Sequence, residues 1–447
     1  MSSGIEQFGY REQLSRSLTI RDLVVYGMIF MVPIAPYSVF GFVWHDSKGM
    51  VPLAYLVGLV GMTFTAMSYA AMSRAFPLAG SVYTYAHRGL HEIAGFLAGW
   101  LILLDYILVP ALLYVISAVA LQGLLPQVPE WLWLTGFVLF NAVVNLLGVQ
   151  FTARVNWYLL ILELITLALF LILASWALQR GLGAGALTLR PVFDPAVFSP
   201  ATVFGATSIA VLSFLGFDGI STLAEESREG IGAVGRATLL SLGLVGALFI
   251  AQTWIATDLA RGMNFSSLAT AFYDIAERAG GNPLRLLTIL AVVVSSGVAN
   301  AMVAQSAVSR ILFAMARDGN LPSVLAKVHP RFRTPYISTI LVSVVSLAVG
   351  LIFAARLDDL SRIVNFGALS GFLLLHLSVV NHFLRRERSR DWLRYLICPL
   401  LGFVVIAYVL YEMDATAKIF GGCWIVVGLG YYLTLRLVFK KKLQLAT

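Results

Sequence analysis

The chain has 447 residues, 59% of them hydrophobic and only 12% charged, with a formal net charge of +8 at pH 7. Soluble domains carry about 25% charge, so a chain this apolar cannot cover its surface with polar groups. Whole-chain disorder, coiled coil and nucleic-acid binding are excluded. The basic excess is spread over short segments and bears on orientation in a membrane rather than on a polyanionic partner.

From the N-terminus, the first 18 residues are polar and include Arg11 and Arg16. The apolar run 20–44 is longer than a signal-peptide core and no small-residue cleavage site follows it, which predicts a retained first span. A span needs roughly 20 apolar residues at about 1.5 Å each. Twelve stretches qualify: 20–44, 51–76, 90–123, 131–149, 152–178, 200–225, 235–257, 283–316, 336–355, 359–384, 391–412 and 416–438. Between them the sequence predicts short polar loops, the longest at 179–199, 258–282 and 317–335, too small for a soluble domain. Trp131 and Trp133 open the fourth span as interfacial anchors. Cys398 and Cys423 lie in apolar stretches and imply neither a disulfide framework nor a metal site.

An even number of spans puts both termini on one side. That side collects 22 of the 31 Lys and Arg, chiefly in the N-terminal tail, the 310–333 and 385–394 segments and the C-terminal tail from Arg436. The positive-inside rule therefore predicts both termini in the cytoplasm.

Two spans are interrupted. Pro33 and Pro36 fall in the middle of the first, where each withholds a backbone donor. Gly216, Asp218 and Gly219 make a poor continuous helix in the sixth. Irregular backbone at membrane depth is tolerated where it is buried or lines a wet cavity. Matching interruptions in two halves point to a transporter binding site at the midplane, and the first and sixth spans match if spans 1–5 and 6–10 are inverted repeats.

Ionisable groups at bilayer depth are functional candidates. Asp105, in the middle of the third span, reads either as the counter-ion of a substrate amine or as a hydrogen-bonding aspartate between helices. Asp218, in the sixth-span break, answers an amine or accepts amides freed by the break. Glu163, mid fifth span, is a buried carboxyl that carries a coupling proton, a cation ligand, or a neutral acid paired with a neighbour. Tyr106, Phe214 and Phe217 flank these positions as gates, as cation–π surfaces, or as simple packing. His376 and His382 read as satisfied helix histidines. Glu225, Glu226 and Arg228 close the sixth span as an inner ion-pair gate, with Arg310 or Arg317 as partners.

Four motifs then give the chain a family likeness. They are Phe76-Pro-Leu-Ala-Gly-Ser-Val-Tyr-Thr-Tyr85 after the second span, Phe214-Leu-Gly-Phe-Asp-Gly-Ile-Ser221 followed by Glu225-Glu226, Ser309 to Pro322 after the eighth span, and Thr334-Pro335 opening the ninth. Together they resemble the amino acid–polyamine–organocation (APC) transporter superfamily over nearly the whole chain. The likeness is greatest to its bacterial putrescine importer and amino acid permease branch, through Leu104-Asp-Tyr106, Gly216–Ser221 and Ile363-Val-Asn-Phe-Gly-Ala-Leu369.

The resemblance implies an all-α membrane protein of 12 transmembrane helices with a LeuT-type 5+5 inverted repeat and broken helices 1 and 6. Its organisation would be a cytoplasmic tail (1–19), a first repeat (20–178), a second repeat (179–384), spans 11–12 (385–438) outside the core with potential dimer contacts, and a second tail (439–447). It implies a secondary active carrier importing a polyamine such as putrescine, or an amino acid, by alternating access. The implied substrate-binding residues are Ile34, Ala35, Tyr37, Ser38, Asp105, Tyr106, Phe214, Leu215, Phe217 and Asp218. Coupling falls to Glu163, Ser295 and Ser296.

Two departures keep the substrate open. Putrescine importers are similar in carrying an acid near Ser38, which is absent here. Amino acid carriers usually have a Gly-Ser-Gly turn in the first break, where this chain has prolines and only the amides of Ala35, Tyr37 and Ser38 remain as donors. Proton-coupled members are similar at the position of Glu163 but carry lysine there, whereas Ser295 and Ser296 stand where sodium-coupled relatives place hydroxyl ligands. The coupling cation is thus H+ or Na+, with proton coupling preferred, and no other cofactor is implied. There is no phosphate-binding loop and no zinc motif, so the sequence does not read as an enzyme. The alternatives are a sodium-coupled or exchanging amino acid permease and a membrane sensor on the same fold. The expected partners are a small amine or amino acid and the lipid bilayer, with the protein a monomer or homodimer.

Overall fold

The structure, a computed structural model, describes residues 18–76, 81–148, 153–229, 232–317, 321–332 and 334–437. Residues 77–80 of the first motif and 318–320 of the third lie outside the described residues.

Fifteen α-helices are described. The first five are α1 (Ile20–Met31), α2 (Pro36–Asp46), α3 (Val51–Ala75), α4 (Ser81–Gly89) and α5 (Glu92–Leu124). Then come α6 (Glu130–Leu146), α7 (Ala153–Gln179), α8 (Pro200–Ala210), α9 (Ala233–Leu259) and α10 (Ala271–Val292). The last five are α11 (Ala301–Arg317), α12 (Tyr336–Phe353), α13 (Leu357–Val379), α14 (Cys398–Glu412) and α15 (Ala415–Leu437). Among the described residues, nine helices are long and apolar enough to cross a membrane. The pair α1 and α2, bent by 58° at its break, makes a tenth. Two shorter apolar helices, Glu130–Leu146 and Pro200–Phe214, coincide with the predicted fourth and sixth spans. Large apolar side chains such as Ile172, Ile352 and Val426 stand exposed on α7, α12 and α15, as suits contact with lipid tails.

Local chemistry explains the boundaries. Helix α1 begins at a capping box, in which Thr19 Oγ1 accepts from the Asp22 amide (3.3 Å) and Asp22 Oδ2 accepts from the Thr19 amide (2.9 Å). Helix α10 is kinked at Gly280 and Gly281, the latter at φ +70°, just ahead of Pro283. The eighth span therefore starts at the kink, continues through a π-helical segment, Val293–Asn300, and ends in α11.

Two predicted loops are not loops. Helix α4 occupies residues read as a polar connection, because that reading weighed length and apolarity and α4 is short and mixed. Residues 271–279, inside the predicted 258–282 loop, form the helix preceding the kink. The last span is fastened to α5 by a pair of indoles. Trp100 on α5 donates its indole N–H to the Trp424 carbonyl, and Trp424 on α15 donates to the Trp100 carbonyl, both at 2.8 Å with the rings stacked.

Candidate functional site

The first break is built by conformation and by missing donors. Val32 takes φ +52°, the left-handed region that a β-branched residue rarely enters, and ends α1. Pro36 restarts the helix at its first position, where a missing N–H costs nothing. The freed Pro33 carbonyl is satisfied from outside the span: Gln252 on α9, fully buried, donates Nε2 to it at 3.0 Å. We expect Gln252→Leu to destabilise the native state by about 1–3 kcal/mol, because a buried carbonyl is left unpaired. A lowered thermal-unfolding midpoint of the purified protein would register this.

The sixth span breaks by a different device. Helix α8 tightens into a 3₁₀ turn, Val211–Phe214, Leu215 is extended, Gly216 takes φ +106°, and a second 3₁₀ segment runs Phe217–Glu226. A Cβ on Gly216 would lie 2.7 Å from the Phe30 carbonyl oxygen, so the backbones of the two breaks touch there.

The break amides are not free, which corrects the expectation that Ala35, Tyr37 and Ser38 could donate to a substrate carboxylate. Ala35 N donates to Val32 O (2.8 Å), Tyr37 N to Ile34 O (3.0 Å) and Ser38 N to Ala35 O (3.3 Å). The prolines fold the break into consecutive turns that consume its own donors. The Tyr37 ring stacks on Phe272 with centroids 3.8 Å apart and meets Phe170 edge-on, while its hydroxyl is buried without a partner. Ile34 and Ser38 are buried beside it, and Ala35 is partly buried.

The acids of the third and sixth spans come together. Asp105 and Asp218 lie within electrostatic reach of one another, and Tyr106 within reach of both. Asp218 lies against the backbone amides of its own break, between Gly216 and Gly219, and the Tyr69 hydroxyl donates to it at 3.5 Å. Asp105 is different: its Oδ1 is buried and has no hydrogen-bond partner. Gly367 on α13 makes room there, since a Cβ would sit 3.0 Å from the Asp105 amide nitrogen. Phe214 packs on Tyr55 and Phe249, and Phe217 on Tyr69 and Phe372, both fully buried. Leu215 and Tyr106 are half-buried.

A second polar pair lies between α7 and the π-helical segment. Ser295 Oγ donates to Glu163 Oε1, and Glu163 Oε2 is buried without a partner. Ile29, Leu159, Leu160, Glu163, Ser295 and Asn300 surround a cavity about the size of one water. Ser296 is buried but does not line it. Asn141 on α6 donates Nδ2 to the Gly297 carbonyl at 2.8 Å and so holds the segment that presents Ser295. Sequence reasoning missed Asn141 and Gln252 because it searched the spans for charges. Uncharged amides at bilayer depth carried the signal.

The remaining predicted positions lie towards the ends of the bundle. Arg228 is exposed and makes no ion pair among the described residues; its amide donates to Leu18 O at 2.9 Å beside a parallel bridge between Leu18 and Ser227. Glu225 and Glu226 end the 3₁₀ segment, and their side chains lie outside the described residues. At the opposite end Arg362 bridges Asp46 and Asp358. His376 is satisfied by Ser68 and Thr65, at 2.9 and 3.3 Å, and His382 Nε2 stands 3.0 Å from Glu387 Oε1.

A helical bundle of apolar spans, two of them interrupted where their backbones meet and flanked by half-buried acids, defines a multi-pass membrane protein of the permease class. The profile described as "Amino acid permease" matches residues 23–427, and the chain belongs to that family, within the APC superfamily. Among its relatives are a low-affinity putrescine importer of Escherichia coli, 30% identical over 96% of each chain, and a branched-chain amino acid permease of Bacillus subtilis, 27% identical over 87% of this chain and 84% of that one. A methylthioribose transporter of Bacillus subtilis is 26% identical over 94% of each chain. The family and these relatives are transporters and not enzymes.

Proposed function

We propose that the protein is a secondary active carrier that imports a small amine-bearing solute, a polyamine such as putrescine or an amino acid, by alternating access, with proton coupling. The observation that carries the substrate reading is Asp105, half-buried with its Oδ1 enclosed and unpartnered, within electrostatic reach of the Asp218 carboxyl. Two acids so placed at bilayer depth are costly without a cation, and a substrate ammonium supplies one. The consumed amides of the first break weigh against a carboxylate cradle there, which favours an amine over an α-amino acid. The names of the relatives, a putrescine importer and a branched-chain amino acid permease, bracket both classes.

Twelve spans follow if the bent pair and the two shorter apolar helices each cross the membrane. Packing supports a five-plus-five repeat, because exchanging spans 1–5 with 6–10 maps contacts onto contacts. The first span packs on the seventh (α1 on α9), as the sixth does on the second (α8 on α3). The third packs on the tenth (α5 on α13), as the eighth does on the fifth (α10 on α7). The distribution of Lys and Arg supports cytoplasmic termini in a bacterial-type inner membrane.

Counterflow of radiolabelled putrescine, monoamines and amino acids in proteoliposomes tests the carrier reading. Binding without counterflow would instead make the protein a sensor. For coupling, Glu163 hydrogen-bonded by Ser295 beside a water-sized cavity supports a proton site. Wild-type uptake should rise as the outside is acidified, and Glu163→Gln should flatten that dependence. Uptake that ignores the pH gradient and requires sodium would reassign the cavity to Na+.

A further inference from the structure

One end of the bundle carries a groove that the transport reading does not use. It has a volume of about 450 Å³ and is lined by Leu90, Leu377, Val380, Asn381, Leu384 and Arg385. Five of these recur along one side of α13 and its π-helical continuation, Val380–Arg386. Its walls are fixed. Asn381 Nδ2 donates to the Gly89 carbonyl at 2.6 Å, and Arg386 donates to the carbonyls of Arg88 and Leu90. The groove opens outward, and Leu377 is 43% exposed among the lipid-facing side chains. At its polar end Arg385 is exposed and makes no ion pair among the described residues.

We propose that this groove binds one anionic glycerophospholipid, its phosphate on Arg385 and an acyl chain along Leu377, Val380 and Leu384. The chemistry is complementary at both ends. An apolar trough suits a hydrocarbon chain, and a free guanidinium at the bilayer surface suits a phosphate diester, which it can meet with two parallel N–H bonds. Free phosphate would use only the second feature, and a zwitterionic lipid only the first at full strength. Because the groove is framed by α13, which packs on α5 at Gly367, bound lipid would brace the helix beside Asp105.

The test is native mass spectrometry and thermal unfolding of the delipidated full-length protein titrated with phosphatidylglycerol, phosphatidylcholine or inorganic phosphate. Phosphatidylglycerol should be retained and should stabilise the protein, and Arg385→Gln should weaken that retention about fivefold, the effect of one interfacial basic residue. Leu384→Trp, which fills the trough, should weaken it without removing charge. Arg390→Gln, at a residue that does not line the groove, should leave it unchanged. Equal retention by wild type and Arg385→Gln, equal affinity for phosphatidylcholine, or equal stabilisation by inorganic phosphate would each overturn the proposal. Unfolding midpoints without lipid report whether each variant has folded.

Discussion

Replacing Asp105 by asparagine is expected to weaken substrate binding by roughly 10- to 100-fold, the loss of one charge-assisted hydrogen bond of about 1.5–3 kcal/mol. The substitution keeps the shape of the side chain, so the close packing of α5 on α13 at Gly367 is preserved. What it removes is the negative charge beside an oxygen that has no partner within the protein. Substrate-dependent thermal stabilisation and proteoliposome uptake measure it together. Unchanged uptake by the Asn variant would move amine recognition away from the third span. Asp218→Asn separates the two acids: Asp218 lies against the amides of its own break and takes the Tyr69 hydroxyl, so that variant should lose thermal stability even without substrate.

The second large effect is expected at Gly216. An alanine there must hold φ +106°, a conformation that costs an L-residue about 1–3 kcal/mol. It must also place a Cβ 2.7 Å from a backbone oxygen, that of Phe30, which cannot rotate away. The sixth-span break is thereby pushed off the first, and we expect Gly216→Ala to abolish uptake while the remaining bundle still folds. Gly219→Ala is the matched control. Its added Cβ meets only the Phe30 ring, at 3.1 Å, and it should retain most of its uptake. Equal uptake by wild type and Gly216→Ala would show that contact between the breaks is dispensable.

Much of this architecture was legible because the bilayer simplifies the reading. Length and apolarity marked the spans, and prolines 33 and 36 with Gly216 marked the breaks, since few residues interrupt a helix at that depth without consequence. What escaped was set by geometry rather than composition. The turns that consume the amides of Ala35, Tyr37 and Ser38 depend on how two prolines fold four residues. The π-helical turn that points Ser295 at Glu163 leaves no mark in an apolar run, and the amides of Asn141 and Gln252 matter only through which carbonyl each one faces. Tyr37, Phe214 and Phe217 illustrate the same limit. Their positions beside the breaks read as lining or as packing alike, and only the structure shows each ring set against its own aromatic neighbour, Phe272, Phe249 and Tyr69 respectively.

The bridge between Leu18 and Ser227 bears on how such a machine could move. It is joined by the Arg228 amide on Leu18 and by the Ile20 amide, which donates to Glu229 at 3.4 Å. These bonds strap the start of α1 to the end of the sixth span, while the two chains touch again at Phe30 and Gly216. The half-helices between those points therefore form a single lever with two fulcrums, Val32 and Gly216. Any opening at this end would have to carry both arms at once, and unfastening the strap would let each swing alone.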